Sequence, residues 1–493
     1  MKKLFPVRTI ILAGLALLQA GQVTAQTFTV LHSFTARSGP NSSTNSDGSY
    51  PIGRLIANSS GNTLYGTANL GGSGFGTVFA VNTDGTDFTT LHRFNYFSDG
   101  SQPRAGVILS GNTLYGTAWQ GGASANGAVF ALNTDGTGFT NLHNFTATVG
   151  YLSTNSDGAH PVAGLVLSGN ILYGTAEKGG SSGKGTVFKV NTDGTGFTTL
   201  HSFAAIYDQP PYTNSDGTGP KAGLILSGNT LYGTAVAGGS SARGTVFAVN
   251  TDGTGFTNLH SFTPTVGPAS TNSEGLSPVA GLVLSGNTLY GTTEDGGGFY
   301  QGTVFKVNTD GTGFTTLHSF SSLSDGFYVD AALVLSGNTL YGTAIGGGMF
   351  GNGTVFALNT DGTGFTNLHN FNNGYDGVQQ HDGRGPDALV LLGNSLYGVA
   401  RSGGSTYNSE DGTVFSLSFA PQLTINCSGA DVILTWPTNV ASFDYTGFAL
   451  QSTTNLVSPA VWSTNSPAPV VVNGQNTVTN PVSGPKKFYR LSQ

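Results

Sequence analysis

A proline recurs along this chain, and the residue after it changes charge from copy to copy. It is Arg104, Lys221, Asp330 or Asp387 in four copies and Ile52, Val162 or Val279 in the others, with Val329 replacing the proline before Asp330. If these positions meet, two cations and two anions share one opening, which could orient a zwitterionic or sugar ligand or simply keep a channel wet. Glycine-rich connections carry a second set: Trp119, Glu177, Lys178, Arg243, Glu294, Asp295, Tyr300, Phe350, Arg401, Tyr407 and Glu410. Aromatic rings beside charges suit sugar or peptide recognition, because a ring supplies rigid apolar area while a charge fixes hydroxyls or termini. For any single one of them the plainer reading is an incidental side chain on a solvated loop. Glycoside hydrolysis needs two carboxylates across a cleft, and Glu177, Glu294, Asp295, Glu410 and Asp411 show no spacing that marks a pair. No serine or cysteine nucleophile motif is present, so no catalytic residue is assigned.

Seven histidines recur in an LH pair followed by any residue and Phe, at His32, His92, His143, His201, His260, His318 and His369. Distance opposes a shared metal. Hydrogen-bonded strands lie about 4.8 Å apart, so a fourth strand stands on the order of 20 Å from a central axis and neighbouring copies more than roughly 10 Å from each other. Zinc holds its ligands at roughly 2 Å. The histidines therefore read as structural, packed between sheets and hydrogen-bonded to a neighbour. Strand alternation places His92 on the same face as Phe88 and Phe94.

Acidic residues concentrate in two turns. One is NTDGT, in six copies; the other is the Asp-Gly pair at Asp47, Asp99, Asp157, Asp216, Asp325 and Asp382, with Glu274 substituting once. NTDGT lacks the further carboxylates and late bidentate Glu of a calcium loop. An Asx turn fixing the entry into the next sheet explains the Asp-Gly acids; calcium at these loops is the lesser alternative, and no other cofactor is expected.

One unit repeated seven times must position all of these residues. LYGT begins at Leu64, Leu114, Leu172, Leu231, Leu289 and Leu340, with LYGV at Leu396; GTVF or GAVF follows, ending at Phe79, Phe130, Phe188, Phe247, Phe305, Phe356 and Phe415. LYGT strings lie 50 to 59 residues apart, the period of propeller blades. Each unit reads as four short strands, typified by PVAGLVL, NTLYGTA, GTVFAVN and FTTLHSF, bounded by Gly, Asn, Asp or Ser. Nothing like the LH string follows Phe415, whereas the copy at His32 precedes the first LYGT. The fold expected is all-β: a seven-bladed β-propeller over residues 26–420 in which residues 27–34 complete the last blade, removing an open edge. The SGN and NTDGT turns scarcely vary between copies, while the connections from second to third strand and from fourth strand to the next blade vary in length and chemistry. In an up-and-down blade those two variable connections share one rim. Recognition loops would produce that pattern, and so would neutral drift.

These strings, LYGT, a GG pair, GTVF and an Asp-Gly followed shortly by Pro, resemble the GloVer tandem-repeat family of secreted bacterial proteins over roughly residues 26–420. The resemblance implies a secreted repeat protein and no particular reaction. The anchor of such proteins, a C-terminal hydrophobic helix with a basic tail, is not found after Gln422. Residues 421–493 read as a small β-sandwich module, resembling those that end in a string like FYRL, on LTW at Leu434, LQSTTNL at Leu450 and FYRL at Phe488.

Residues 1–25 read as a secretory signal peptide: Lys2, Lys3 and Arg8, then the apolar run from Ile10 to Leu18, then a small-residue cleavage site ending at Ala25. Its removal takes three positive charges, moving the net charge from -7 to -10. An acidic surface with 9% charged residues argues against nucleic acid and anionic membranes. The single Cys427 allows no internal disulfide and reads as a buried thiol. Taken together, the expectation is a secreted or cell-surface monomer acting as a non-catalytic binding scaffold, its ligand a glycan or a surface protein. A carbohydrate-active hydrolase or lyase with its site at the channel mouth, and a structural envelope or matrix protein, are the alternatives.

Overall fold

The computed structural model describes residues 25–38, 43–207, 210, 212–265, 272–321, 323–372, 382–404, 411–421, 423–428, 431–440, 443–445, 448–454, 462–464, 467–481 and 487–492. The leader expected over residues 1–25, Ala25 excepted, lies outside them. Two compact units divide the chain, one spanning Phe28–Leu417 and the other built from Ser418–Gln493 and the residues before Phe28. Every described element is a strand, and no helix is long and apolar enough to cross a membrane.

The first unit contains seven four-stranded antiparallel, blade-like sheets among the described residues. In the first, Ser49–Ala57, Thr63–Leu70, Thr77–Asn82 and Thr89–Arg93 follow one another in space as in sequence. Five more repeat that order. The seventh orders Arg384–Leu392, Ser395–Ser402 and Thr413–Ala420, and its outer place is taken by Ala25–Ser33 from the start of the chain. Apolar clusters fill the seams between successive sheets, such as Tyr173, Leu200, Phe203, Leu231 and Phe247. The seam between the seventh sheet and the first joins Leu31 and Phe34 to Leu55, Leu64, Phe79, Val399 and Val414. The series therefore closes on itself, and each sheet buries both faces, which is why its second and third strands are apolar almost throughout.

The repeated strings are packing rules. In each unit the Gly of LYG sits opposite the Phe of GTVF, as Gly233 does opposite Phe247. A Cβ on Gly233 would stand 2.7 Å from Phe247 Cζ and 2.8 Å from Leu224 Cδ2, so the phenyl ring occupies the place a side chain would need. Gly233→Ala is expected to destabilise the protein by about 1–3 kcal/mol through overpacking, read as a lower denaturant midpoint at unchanged slope. The Thr of LYGT bridges to the next sheet, Thr175 Oγ1 donating to Ala222 O at 3.0 Å and Thr117 Oγ1 to Ala163 O at 3.0 Å. Val399 replaces it in the seventh copy, and there Gly53 N donates to Asp387 Oδ2 at 3.3 Å across the closing seam.

The histidines also join sheets. His201 Nε2 lies 3.0 Å from Asp216 Oδ2, and its ring stacks on Phe256 of the next sheet with centroids 3.7 Å apart. All seven repeat this stack at 3.6–3.9 Å, with His369 on Phe28 and His32 on Phe88 at the closure. Strand alternation does not hold along Phe88–Phe94. A bulge between Val78 and Phe79 skips Leu91 in the pairing, so Phe88 faces the seventh sheet and joins His32, while His92 and Phe94 face the second. Among the described residues no Asx turn forms at Asp157, one of the Asp-Gly acids. Asp157 accepts instead from His143 Nε2, Thr146 N and Thr146 Oγ1. Burial acts to raise its pKa, but these bonds outweigh it and hold the carboxyl below the usual range. Asn155, two residues earlier, takes the turn role by accepting from Gly158 N and Gly180 N. Asx turns do form at NTDGT, where Asp193 Oδ1 accepts from Thr195 N and Oγ1.

In the second unit, Thr424–Ser428, Asp431–Pro437, Gln475–Pro481 and Val470–Val472 form one sheet. Ser463–Thr464, Ala449–Thr453 and Phe488–Ser492 form another. Leu434, Trp436 and Val478 of the first pack with Leu450, Tyr489 and Leu491 of the second. The Cys427 side chain lies outside the described residues.

Candidate functional site: a mixed-charge mouth over a central channel

Inner strands and the residues leading into them, from all seven repeats, line one cavity of about 390 Å³, with Gly53, Arg54, Arg104, Gly164, Lys221, Val279, Asp330 and Asp387 on its wall. Local backbone chemistry builds its mouth. The residue before the recurring proline is left-handed in every repeat: Tyr50, Gln102, His160, Ser277 and Tyr328 have φ between 54° and 58°, and Gly219 and Gly385 have 64° and 65°. That strained conformation is held by bonds on both sides. His160 N donates to Asn126 O of the preceding repeat, while His160 O accepts from Glu177 N. The second bond places the fifth residue after the Leu of each LYGT or LYGV string beside the channel, which brings Trp119, Glu177, Glu294 and Arg401 to one ring. The bridges Ser101 to Gln120 and Ala159 to Lys178 put both variable connections on this rim. The SGN and NTDGT turns bond each other at the opposite end, as Thr134 N does with Asn112 O.

Four of the five charged residues on the channel wall meet neighbours. Arg104 lies over the Trp119 ring at 3.4 Å from its centroid, and His160 Nδ1 lies 3.1 Å from Trp119 O. Lys221 Nζ stands 3.5 Å from Glu177 Oε1. Arg401 clamps both acids, Nη2 at 2.6 Å from Asp330 Oδ2 and Nε at 3.3 Å from Asp387 Oδ2. Burial pushes Asp330 up to about 7, opposed by Arg401 and reinforced by Asp387. Burial also raises Glu294, with help from Asp295, and raises Asp295 itself. Asp330 Oδ1 and Trp119 Nε1 are buried without a hydrogen-bond partner among the described residues.

Of the other loop residues, Arg243 Nη2 donates to Thr265 Oγ1 at 2.9 Å, and Tyr300 stands on the rim at φ 63°, partly exposed. Tyr407 and Glu410 lie outside the described residues. Sequence reasoning missed three features. His160 completes the Arg104 and Trp119 stack. Arg54 lines the channel where the other six repeats carry Gly106, Gly164, Gly223, Gly281, Ala332 and Ala388; comparing the copies at that position could have found it. The third is a distribution: every exposed large apolar side chain described in the first unit, among them Phe97, Tyr151, Tyr207, Phe299, Tyr328 and Met349, sits on the two variable connections. No group of three or more His, Cys, Asp or Glu placed to hold a metal occurs among the described residues.

Similar solved structures include an oligogalacturonate lyase from Vibrio parahaemolyticus, at 9% identity over 80% of this chain and 97% of that one with a TM-score of 0.45. TolB from Acinetobacter baumannii shows 13% identity over 59% of each chain with a TM-score of 0.35. A chain of the nidogen/laminin complex shows 15% identity over 56% of this chain and 81% of that one, also with a TM-score of 0.35. Likeness at this level carries nothing about activity. No curated protein matches the chain. The Gloeobacter/Verrucomicrobia repeat model matches residues 20–214, 147–273 and 265–436, spanning the LYGT, GTVF and LH strings and the sheets they build, and the chain belongs to that repeat family.

Proposed function

We propose that this protein is a secreted, monomeric seven-bladed β-propeller followed by a β-sandwich module, and that it is a binding scaffold whose loop-bearing rim and channel mouth recognise a glycan. One observation carries the reading: the exposed aromatic and apolar side chains of the first unit lie on one rim, around a mouth of paired charges. Exposed apolar surface confined to one face marks an interaction site, and rings such as Tyr151, Phe299 and Tyr300 suit the apolar faces of sugars. A surface protein would be the alternative ligand for the same rim. The test is a glycan array on the mature protein beside two variants, Trp119→Ala with Arg104→Ala, and Phe299→Ser with Tyr300→Ser. Glycan capture by the native protein and its loss in either variant support the reading. Capture unaffected by both sinks it, and capture of no glycan moves the ligand to the protein class.

A second reading has its own observation. Burial pushes Asp330 up to about 7, with Glu294 adding a smaller push, and Glu294 is itself raised by burial; a carboxyl protonated near neutral pH is what a general acid needs. A carbohydrate-active enzyme would turn over a captured glycan and lose that turnover in Asp330→Asn while keeping capture.

A further inference from the structure

The channel holds one cation that no described residue answers. Arg54 is exposed to the cavity, and burial alone pushes its guanidinium below its ordinary value, with no acid contributing. No hydrogen bond or ion pair reaches its side chain among the described residues. The other cations of the mouth have partners: Lys221 with Glu177, Arg401 with Asp330 and Asp387, and Arg104 on Trp119.

Its placement is specific to one repeat. The same position is Gly or Ala in the other six, and Gly106 is held there by contact, because a Cβ would stand 1.8 Å from Arg54 O. Six small residues leave the wall as bare backbone, and the seventh sends a guanidinium into the space they leave. A guanidinium that reaches the channel without a partner is free to pair, and a carboxylate ligand supplies the counter-charge.

We propose that the channel is a binding site for a single carboxylate group, taken in through the loop-bearing mouth and held by the Arg54 guanidinium. A guanidinium presents a planar fork that matches the two oxygens of a carboxylate. Phosphate would match the fork as well, but the acids of the mouth are balanced by Arg104, Lys221 and Arg401, which leaves the single Arg54 charge to answer a single negative charge. The rest of the ligand meets the mouth, where Arg104 and the Lys221 and Glu177 pair stand beside the path. A uronic acid at a glycan end and the C-terminus of a peptide share this chemistry. The proposal rests on the binding reading above only in taking the loop-bearing rim as the side of entry.

The test is calorimetric titration of the mature protein with D-glucuronate and with triglycine, each against the counterpart that lacks the carboxylate, D-glucose and triglycine amide. Native protein is compared with Arg54→Ala and Arg54→Lys. Alanine occupies the equivalent place in two repeats, so the first variant is expected to melt with the native protein. The expected result is binding of a carboxylate probe but not of its counterpart, weakened about tenfold or more in Arg54→Ala and partly kept in Arg54→Lys. Preference for glucuronate assigns an acidic glycan, and preference for triglycine a peptide terminus. Equal affinity in Arg54→Ala, equal binding of the counterpart that lacks the carboxylate, or no binding of either carboxylate at millimolar concentration overturns the proposal. Rim substitutions that abolish glycan capture while an Arg54-dependent carboxylate affinity is absent leave the rim reading standing alone. The reverse pattern leaves only the channel site.

Discussion

Deleting residues 26–34 from the mature protein is expected to lower its melting temperature by more than any single substitution in an internal seam. The strand Ala25–Ser33 is the outer strand of the seventh sheet, so its loss leaves Thr413–Ala420 as an open edge and uncovers Phe79 and Val414. Phe34 alone is fully buried and meets Phe79 and Phe88 edge-on. Phe34→Ala should cost about 3–5 kcal/mol, and Phe203→Ala, the same position in an internal seam, should cost about the same. Equal losses in chemical denaturation mean that the closing seam is energetically one more seam. An unchanged melt on deletion would show that the ring does not depend on its first strand.

Arg401→Ala is the other large effect. It leaves Asp330 and Asp387 buried side by side with no cation between them, a defect of about 3–5 kcal/mol. The sign with pH follows from Asp330. Its pKa is raised from 3.8 to about 7, so its contribution to stability is fully present below about pH 4 and is lost as pH rises through about 7. Removing Arg401 takes away the group that favours the charged form and moves the carboxyl higher still. The difference in melting temperature between native protein and Arg401→Ala should therefore narrow from pH 8 to pH 5, and Asp330→Asn added to Arg401→Ala should recover part of the loss at pH 8. A pH-independent difference would mean that Arg401 acts through packing alone.

The pH dependence has an opposing limb. Asp47, Asp157, Asp216 and Asp325 are held below their usual range, with burial raising each and outweighed by hydrogen bonds. Burial pushes His92, His260 and His318 down. The acids contribute stability that is lost as pH falls through their folded values, and the histidines favour the neutral state that acid removes. The seams therefore weaken on acidification while the mouth weakens on alkalinisation.

Much of the ring was legible in the chain. Copies of LYGT and GTVF at a 50 to 59 residue period, and an LH string displaced to the N-terminus, specify four-stranded units and the strand that completes the last one. They are legible because they are local: hairpin turns, strand-length apolar runs, and a glycine opposite a phenylalanine recur wherever the same contact is made. The charged positions after the proline were also visible, and the structure brings them to one channel. What those charges do there was not. Arg401 lies 71 residues from Asp330, and no spacing in a linear pattern announces that an arginine on a second strand will clamp acids from two inner strands.

The same limit explains the smaller misreadings. Alternation along Phe88–Phe94 assumed an unbroken ladder, but the bulge at Val78 and Phe79 shifts the outer strand by one residue and turns Phe88 toward the opposite seam. The Asp-Gly acids were read as turn formers, yet Asn155 holds the turn and frees Asp157 to accept from His143. Sequence alone determined the repeat, its strands and turns, the offset that closes the ring and the rim that varies. Tertiary structure decided which charges pair, which residue stands alone in the channel, and which face each outer-strand ring covers. Those outcomes depend on distances between repeats and on a single break in strand register, and neither quantity is encoded at any one position of the repeat.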